Sequence, residues 1–515
     1  MESEGFIFKA LVFSSVPLIM VFYCVLRVVY SIWWRPKTLE KLLKQQGIRG
    51  TSYKLLYGDI KEIKRLTQEA WSKPMPLNHQ IAPRVFPFFY HMVQKYGKIS
   101  MTWTERRPRL IIAEAEIVRL ILNGDFEKPP LNPLLDLLTL GVNTLEGDKW
   151  AKRRRLISPA FHHHKLQGMV APFSTSCCKL IDGLKKLLLT PQGSSELDIA
   201  TELQKFSVDV IARTAFGSSW EEGKQIFELQ KEQIVLVIEA SQAIYFPGLR
   251  FVPTKKNKRR YEIDNKIKGM LRDMIERREE AMRIGESEEN DDLLGLLLQC
   301  KQGADNEMST EDVIEECKLF YFAGQETTAN WLTWTIILLC MHPEWQSKAR
   351  EEVLRFCGKT TPDLETIKHL KIVSMVLHEV LRLYPPVTGL FRYTRKRSNI
   401  GGMWIPEGVE LYLATMMLHY DPKYWGEDVE EFKPERFSKG VSNATKEGEN
   451  MAFYPFGWGP RFCLGQAFAM IEAKLALAML LQNFSFELSP SYTHAPYTAI
   501  TLQPQHGATI ILHQI

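Results

Sequence analysis

The chain has 515 residues and a formal net charge of +5, from 65 Lys and Arg against 60 Asp and Glu, too small an excess to argue for a nucleic-acid partner. Hydrophobic residues make up 45% and charged residues 24%, the balance of an ordinary globular protein. Eight cysteines (24, 177, 178, 300, 317, 340, 357 and 463) show no framework spacing, which excludes a disulfide scaffold and fits reduced thiols facing the cytosol.

The first element is apolar. Residues 10–26 carry no charge, and apolar character resumes after Arg27 up to Trp34. Trp33-Trp34 reads as an interfacial belt. Arg27, Arg35, Lys37, Lys41 and Lys44 lie on one side, Glu2 and Glu4 on the other, so the bulk of the chain is expected in the cytosol. The acidic start and the lack of a small-residue cleavage site argue against a removed signal peptide. Residues 1–34 are therefore read as a retained single-pass anchor, expected in the endoplasmic reticulum membrane, and 35–515 as one domain. No Gly/Ser- or Pro-rich linker or internal repeat divides that domain.

Helical periodicity then dominates, in windows 114–123, 149–158, 168–188, 200–216, 261–283, 310–341, 344–356, 372–383 and 466–481. Alternating stretches at 98–104, 109–113 and 410–414 predict a small sheet, and 498–502 with 508–512 a hairpin-like pair. The fold class expected is mainly α with a small β portion. The run Lys255-Lys256-Asn257-Lys258-Arg259-Arg260 reads as a solvated helix start, and 244–253 as an apolar loop between helices. Consecutive His162, His163 and His164 cannot share one helix face and read as surface. The sequon at Asn443 would face the cytosol unmodified.

Chemistry concentrates around Cys463, in the segment Phe456-Gly457-Trp458-Gly459-Pro460-Arg461-Phe462-Cys463-Leu464-Gly465. The glycines permit close backbone approach to a large flat group, and Arg461 offers a charge for a carboxylate. A single thiolate just before a helix N-terminus suits an axial ligand to haem iron. Zinc is disfavoured, because no second Cys or His stands two to four residues away. Upstream, Ser309 with Asp312 predicts a capping box and Pro343 a stop, giving a helix of about 48 Å. At its centre Ala323-Gly324-Gln325-Glu326-Thr327-Thr328 leaves room beside a flat group and sets an acid next to an alcohol, a pairing that relays protons. Glu379 and Arg382 share a helix face.

The segment at Cys463 matches Phe-x-x-Gly-x-Arg-x-Cys-x-Gly at every defined position and resembles the haem-binding signature of the cytochrome P450 family. The other motifs follow in family order, so the resemblance covers essentially the whole chain after the anchor. It implies the P450 fold and haem b, with Phe456 in the haem-binding segment and Cys463 as axial thiolate to the iron. It further implies Thr327 and Glu326 in oxygen activation and proton delivery, and Trp150, Arg154, Arg461 and Arg392 at the haem propionates. Glu379, Arg382 and Arg436 (in Pro434-Glu435-Arg436-Phe437) would form the structural triad behind the haem. Lys149, Lys152, Arg153 and Arg155 would form a basic face for NADPH-cytochrome P450 reductase, which brings electrons from NADPH.

Finer resemblance, in 47–53, 251–257 and 501–507, is to the plant clan that includes secologanin synthase, whose members oxidise terpenoids. The usual proline-rich hinge after the anchor is replaced here by Arg49-Gly50-Thr51-Ser52. Segments expected to contact substrate (131–140, 319–323, 387–390 and 498–502) are mostly apolar, which fits a lipophilic molecule. The resemblance thus implies a haem-thiolate monooxygenase that uses O2 to hydroxylate such a molecule, in the terpenoid class. Two alternatives are a reductase-independent haem-thiolate isomerase or dehydratase, and a non-catalytic haem-binding sensor.

Overall fold

Ser309 starts the central element. Its Oγ accepts from Asp312 N at 3.1 Å, and Asp312 Oδ2 accepts from Ser309 N at 2.9 Å, the reciprocal capping box that opens the helix Thr310–Met341. The helix stops at His342, and Pro343, which cannot continue it, begins the next one, Pro343–Cys357. From Val313 to Leu339 this helix is buried on almost every side, as a helix must be when other helices surround it. Ile199–Phe216, Lys255–Arg283, Lys371–Leu383 and Gln466–Asn483 pack around it. Gly324 sets the closest approach: a Cβ there would stand 2.7 Å from Ile211 Cδ1.

This computed structural model describes residues 18–130, 132–188, 193–218, 220–241, 245, 248–285, 292–302, 307–445 and 452–515. Residues 1–17, with Glu2, Glu4 and the start of the 10–26 run, lie outside the described residues, as do Leu131, Ile244, Phe246 and Pro247. The chain has the P450 fold, mostly helical with small sheets.

The largest sheet has five strands in the order Arg49–Gly50, Ile99–Thr104, Arg107–Ile112, Glu410–Leu413, Leu390–Tyr393. Its centre is a hairpin, Ile99–Thr104 with Arg107–Ile112, flanked on both sides by parallel pairings. The expected pairing of 498–502 with 508–512 is corrected. Pro496–Thr498 forms a short hairpin with Leu502–Pro504, so residues 499–501 are its tip. Thr509–Gln514 instead lies between Ser194–Asp198 and Phe484–Leu488, antiparallel to both. A strand flanked on both sides gains two ladders, which adjacency in sequence did not reveal.

The basic run at 255–260 does open a helix, which begins at Lys255 because Thr254 Oγ1 accepts from Asn257 N at 3.1 Å. Trp220–Ser241 was not anticipated. It buries Gln230 and Gln233 among its core positions, and these interrupt the apolar period. Its polar contacts are made at a distance: Gln230 Nε2 donates to Lys318 O at 2.9 Å.

At the N-terminus one continuous helix, Leu18–Gln45, is long and apolar enough to cross a membrane. Its apolar half is exposed, with a wide π turn at Tyr30–Trp34, and its second half buries Pro36, Leu39 and Leu43. Tyr53 Oη donates to Ile32 O at 2.7 Å, and Arg106 Nη1 donates to Ser31 Oγ at 2.8 Å.

Behind the core, Glu379 and Arg382 form a fully buried ion pair at 2.7 Å. The rest of the Arg382 guanidinium donates to the carbonyls of His419, Val429 and Glu431, and Glu379 Oε1 accepts from Lys433 N at 2.9 Å. Arg436 completes the triad loosely. Its Nε stands 3.6 Å from Glu379, while its Nη2 holds Asp428 at 2.9 Å. Removing one partner of such a pair strands the other charge in the core. Glu379→Ala is expected to cost about 3–5 kcal/mol, read by urea unfolding of the detergent-solubilised protein, whereas the exposed-pair variant Glu365→Ala should cost under about 1 kcal/mol.

Candidate active site

The Cys463 loop is shaped by its glycines. Gly457 and Gly459 have φ of 72° and 69°, left-handed values that other residues rarely adopt. Gly459 is doubly constrained, since a Cβ there would stand 2.4 Å from the Leu122 carbonyl oxygen of helix Ala115–Asn123. The Cys463 N–H donates to Phe456 O at 2.8 Å, which closes the loop just before Gln466–Asn483. Arg154, from helix Gly147–Ile157, braces it: Nη1 donates to Phe462 O at 2.9 Å and the guanidinium stacks 4.8 Å over the Phe462 ring. The thiol is solvent-accessible. Surrounding protein atoms push its pKa up, against the Gly465 N–H and Arg154, which pull it down. A thiolate here calls for a bound cation to stabilise it, as a metal ion does.

Beside the loop is a surplus of positive charge. The Arg461 guanidinium stacks 4.4 Å over Trp150, donates to Leu145 O at 3.1 Å and pairs with Glu146. Arg392, on Leu390–Tyr393, is buried, and its described hydrogen bond goes only to the neighbouring Phe391 carbonyl at 2.9 Å. Lys128 joins them, its Nζ held by Asn143 and its N–H donating to Glu146 Oε1 at 3.0 Å. Burial, then mutual repulsion, lowers Arg392 to about 10 and Lys128 to about 7. Of the three cations only Arg461 forms an ion pair with Glu146, while Arg392 and Lys128 Nζ rest on neutral acceptors, so the site is short of negative charge. A porphyrin bearing two propionates supplies that charge, and Cys463 supplies an iron donor, so these residues fit haem.

The long helix offers one accessible stripe. Between Val313 and Leu339 only Phe320, Phe322, Ala323, Gly324 and Thr327 are not buried. Positions 320, 323, 324 and 327 fall on one face at i, i+3, i+4 and i+7, a face left partly accessible although Phe320 stacks on Phe161 and Gly324 lies against Ile211. Thr327 Oγ1 donates to Ala323 O at 2.9 Å within its own helix. Glu326 points elsewhere: its Oε1 accepts from Thr501 Oγ1 at 2.7 Å and Asn330 Nδ2 at 3.2 Å. The acid and the alcohol are neighbours in sequence and separate in hydrogen bonding. Phe456 meets the same helix edge-on to Trp331, with ring centroids 6.1 Å apart.

Thr328 belongs to a different set. It lies near Glu472, a fully buried carboxyl on the C-terminal helix whose Oε1 accepts from Ser207 Oγ at 2.9 Å. Arg153 is corrected from the exposed basic face: it is buried, and pairs with Glu316 at 2.8 Å and Asp312 at 2.6 Å on the long helix. Lys149, Lys152 and Arg155 remain exposed. His162, His163 and His164 are exposed, and no group of three or more metal-ligating His, Cys, Asp or Glu occurs among the described residues.

Sequence reasoning missed Lys128, Glu146, Asn330, Thr501 and Glu472. A lone Glu in the apolar run Ala-Phe-Ala-Met-Ile-Glu-Ala was a usable signal for Glu472; the others meet their partners only through the fold.

Burial raises Glu472 from 4.5 to about 8. Between those values the folded state holds a proton that the unfolded state has lost, so rising pH removes stability across this window. Glu472→Gln lacks that proton equilibrium. Its melting temperature should therefore gain on the parent by several degrees between pH 5 and pH 8, as measured by differential scanning fluorimetry.

Residues 77–509 match the family model described as Cytochrome P450. The chain is 50% identical over 495 residues to Cytochrome P450 CYP72A616 of Paris polyphylla, covering 94% of this chain and 95% of the relative. It is 48% identical over 514 residues to Cytochrome P450 CYP72A219 of Panax ginseng, covering 98% and 99%. Secologanin synthase 1 of Catharanthus roseus is 48% identical over 501 residues, covering 95% of each. With the signature loop, the cation cluster and the long helix assembled in one fold, the chain belongs to the cytochrome P450 family, as a haem-thiolate monooxygenase of the plant clan that includes secologanin synthase.

Proposed function

We propose that this enzyme hydroxylates a C–H bond of a lipophilic terpenoid, with electrons passed from NADPH through NADPH-cytochrome P450 reductase. The observation that carries this reading is the stripe of Phe320, Ala323, Gly324 and Thr327, the most accessible face of an otherwise buried helix, with the buried Glu326 next to Thr327 in sequence. Apolar side chains on that face suit a hydrocarbon skeleton, and the hydroxyl and carboxyl suit proton handling. An isomerase that needs no reductase has no use for that acid and alcohol.

Cys463 would hold the iron of haem b. Arg461 with Trp150, Arg392 and Lys128 would hold the propionates, and Arg154 would brace the ligand loop. Bound haem supplies the oxygen and redox chemistry. Thr327 would hold a proton at its Oγ1, and Glu326 would move one at its carboxyl. Residues 1–34 would form a single-pass anchor in the endoplasmic reticulum membrane, with 35–515 as the cytosolic catalytic domain. Exposed Lys149, Lys152 and Arg155 suit an acidic flavoprotein partner, to which attraction should weaken as salt rises. The terpenoid class rests on the likeness to the clan of secologanin synthase.

The first test is the reduced, CO-bound difference spectrum in microsomes. The parent should give the strongly red-shifted Soret band of a thiolate ligand, and Cys463→Ala should lose it; a band that survives the substitution removes Cys463 from the site. For Thr327→Ala the CO band should persist. Reconstituted with reductase, that variant should show product formation lower by about 10²-fold, with hydrogen peroxide released in its place.

A further inference from the structure

The Glu326 carboxyl is held from outside its own helix. Thr501 lies at the tip of the hairpin between Pro496–Thr498 and Leu502–Pro504, and its hydroxyl donates to Glu326 Oε1 at 2.7 Å. Asn330 sits one turn beyond Glu326. Its Nδ2 donates to Thr501 Oγ1 at 3.0 Å and to Glu326 Oε1 at 3.2 Å, and it reaches the Glu326 carbonyl at 2.9 Å. Glu326, Asn330 and Thr501 form a closed triangle, exposed by only 7%, 2% and 2%. Because the amide gives its proton to the Thr501 oxygen, the Thr501 O–H is directed at the carboxyl.

Two bonds fix the hairpin tip. Trp334 Nε1, one turn past Asn330, donates to Leu502 O at 3.1 Å, and Leu502 N donates to Pro386 O at 2.9 Å. The tip thus spans the long helix and the 384–390 segment. On the same hairpin Thr498 Oγ1 is buried and has no hydrogen-bond partner among the described residues. Both described side-chain hydrogen bonds of Glu326 fall on Oε1. The titratable groups whose charge bears on Glu326 are Lys231 and Tyr497.

We propose that Thr501 is a positioning residue for Glu326: by engaging Oε1 it leaves Oε2 as the atom that gives and takes the proton, and it ties that carboxyl to the hairpin that the family resemblance implies contacts substrate. This rests on the reading of Glu326 as the proton-delivering acid. A hairpin displaced by an ill-fitting molecule would release Oε1 and let the carboxyl rotate. The enzyme would then sense substrate fit at the step where protons are delivered, with Thr501 touching the acid and not the reacting atoms.

The test uses the full-length haem-loaded protein with reductase and NADPH and no organic substrate, reading how oxygen divides between hydrogen peroxide and water. It also uses infrared difference spectra on CO photolysis, where the C=O stretch of protonated Glu326 is assigned by its loss in Glu326→Gln. Thr501→Val keeps the shape and removes the donor. It should raise that stretch in frequency and cut water formation about tenfold, less than the roughly 10²-fold expected for Glu326→Gln. Thr501→Ser should restore both readouts, and Thr501→Val with Glu326→Gln should be no worse than Glu326→Gln alone. An unmoved stretch, or parental partitioning in Thr501→Val while Glu326→Gln is impaired, overturns the positioning role and leaves the Glu326 reading intact. Parental partitioning in Glu326→Gln overturns both.

Discussion

A polar side chain taken out of water must find a partner, and the helix Thr310–Met341 is where that rule organises the molecule. Glu315, Glu316, Lys318, Gln325, Glu326, Thr328 and Asn330 are all buried along it. Several of them draw in neighbours from other elements. Lys318 reaches Asp264 at 2.6 Å, Glu316 takes Arg153, and Glu326 takes Thr501. The helices and the hairpin around the site are therefore placed by polar bonds at particular residues, where apolar packing alone would allow them to slide.

The site handles charge in two opposite ways. Around Lys128, Arg392 and Arg461 the protein crowds cations without matching anions, so a bound group bearing carboxylates, as haem does, would relieve their repulsion. At Glu472 and Glu326 it does the reverse. It provides neutral hydroxyl and amide partners and no close cation, and burial raises both carboxyls. Held in that way, the Glu472 carboxyl can keep a proton at neutral pH, which one paired with arginine cannot.

What was legible in the sequence was what local chemistry decides. The capping box and Pro343 set both ends of the long helix, and the glycines around Cys463 announced a loop with its thiol presented. What was not legible depends on who arrives from far away. Arg153 sits in a basic run and looks like surface until the fold brings Glu316 across. The strand Thr509–Gln514 pairs with Phe484–Leu488 rather than with the nearer hairpin, and only the assembled sheet reveals it. Thr501, 171 residues from Asn330 along the chain, had no local signal at all.

The N-terminal helix continues through Trp34 to Gln45 without a hinge, and Pro36, Leu39 and Leu43 bind its second half to the domain. If the exposed apolar half spans a bilayer, anchor and domain turn as one lever: a bilayer that thins or thickens changes the tilt of a spanning helix, and the same rotation would carry the body of the enzyme with it.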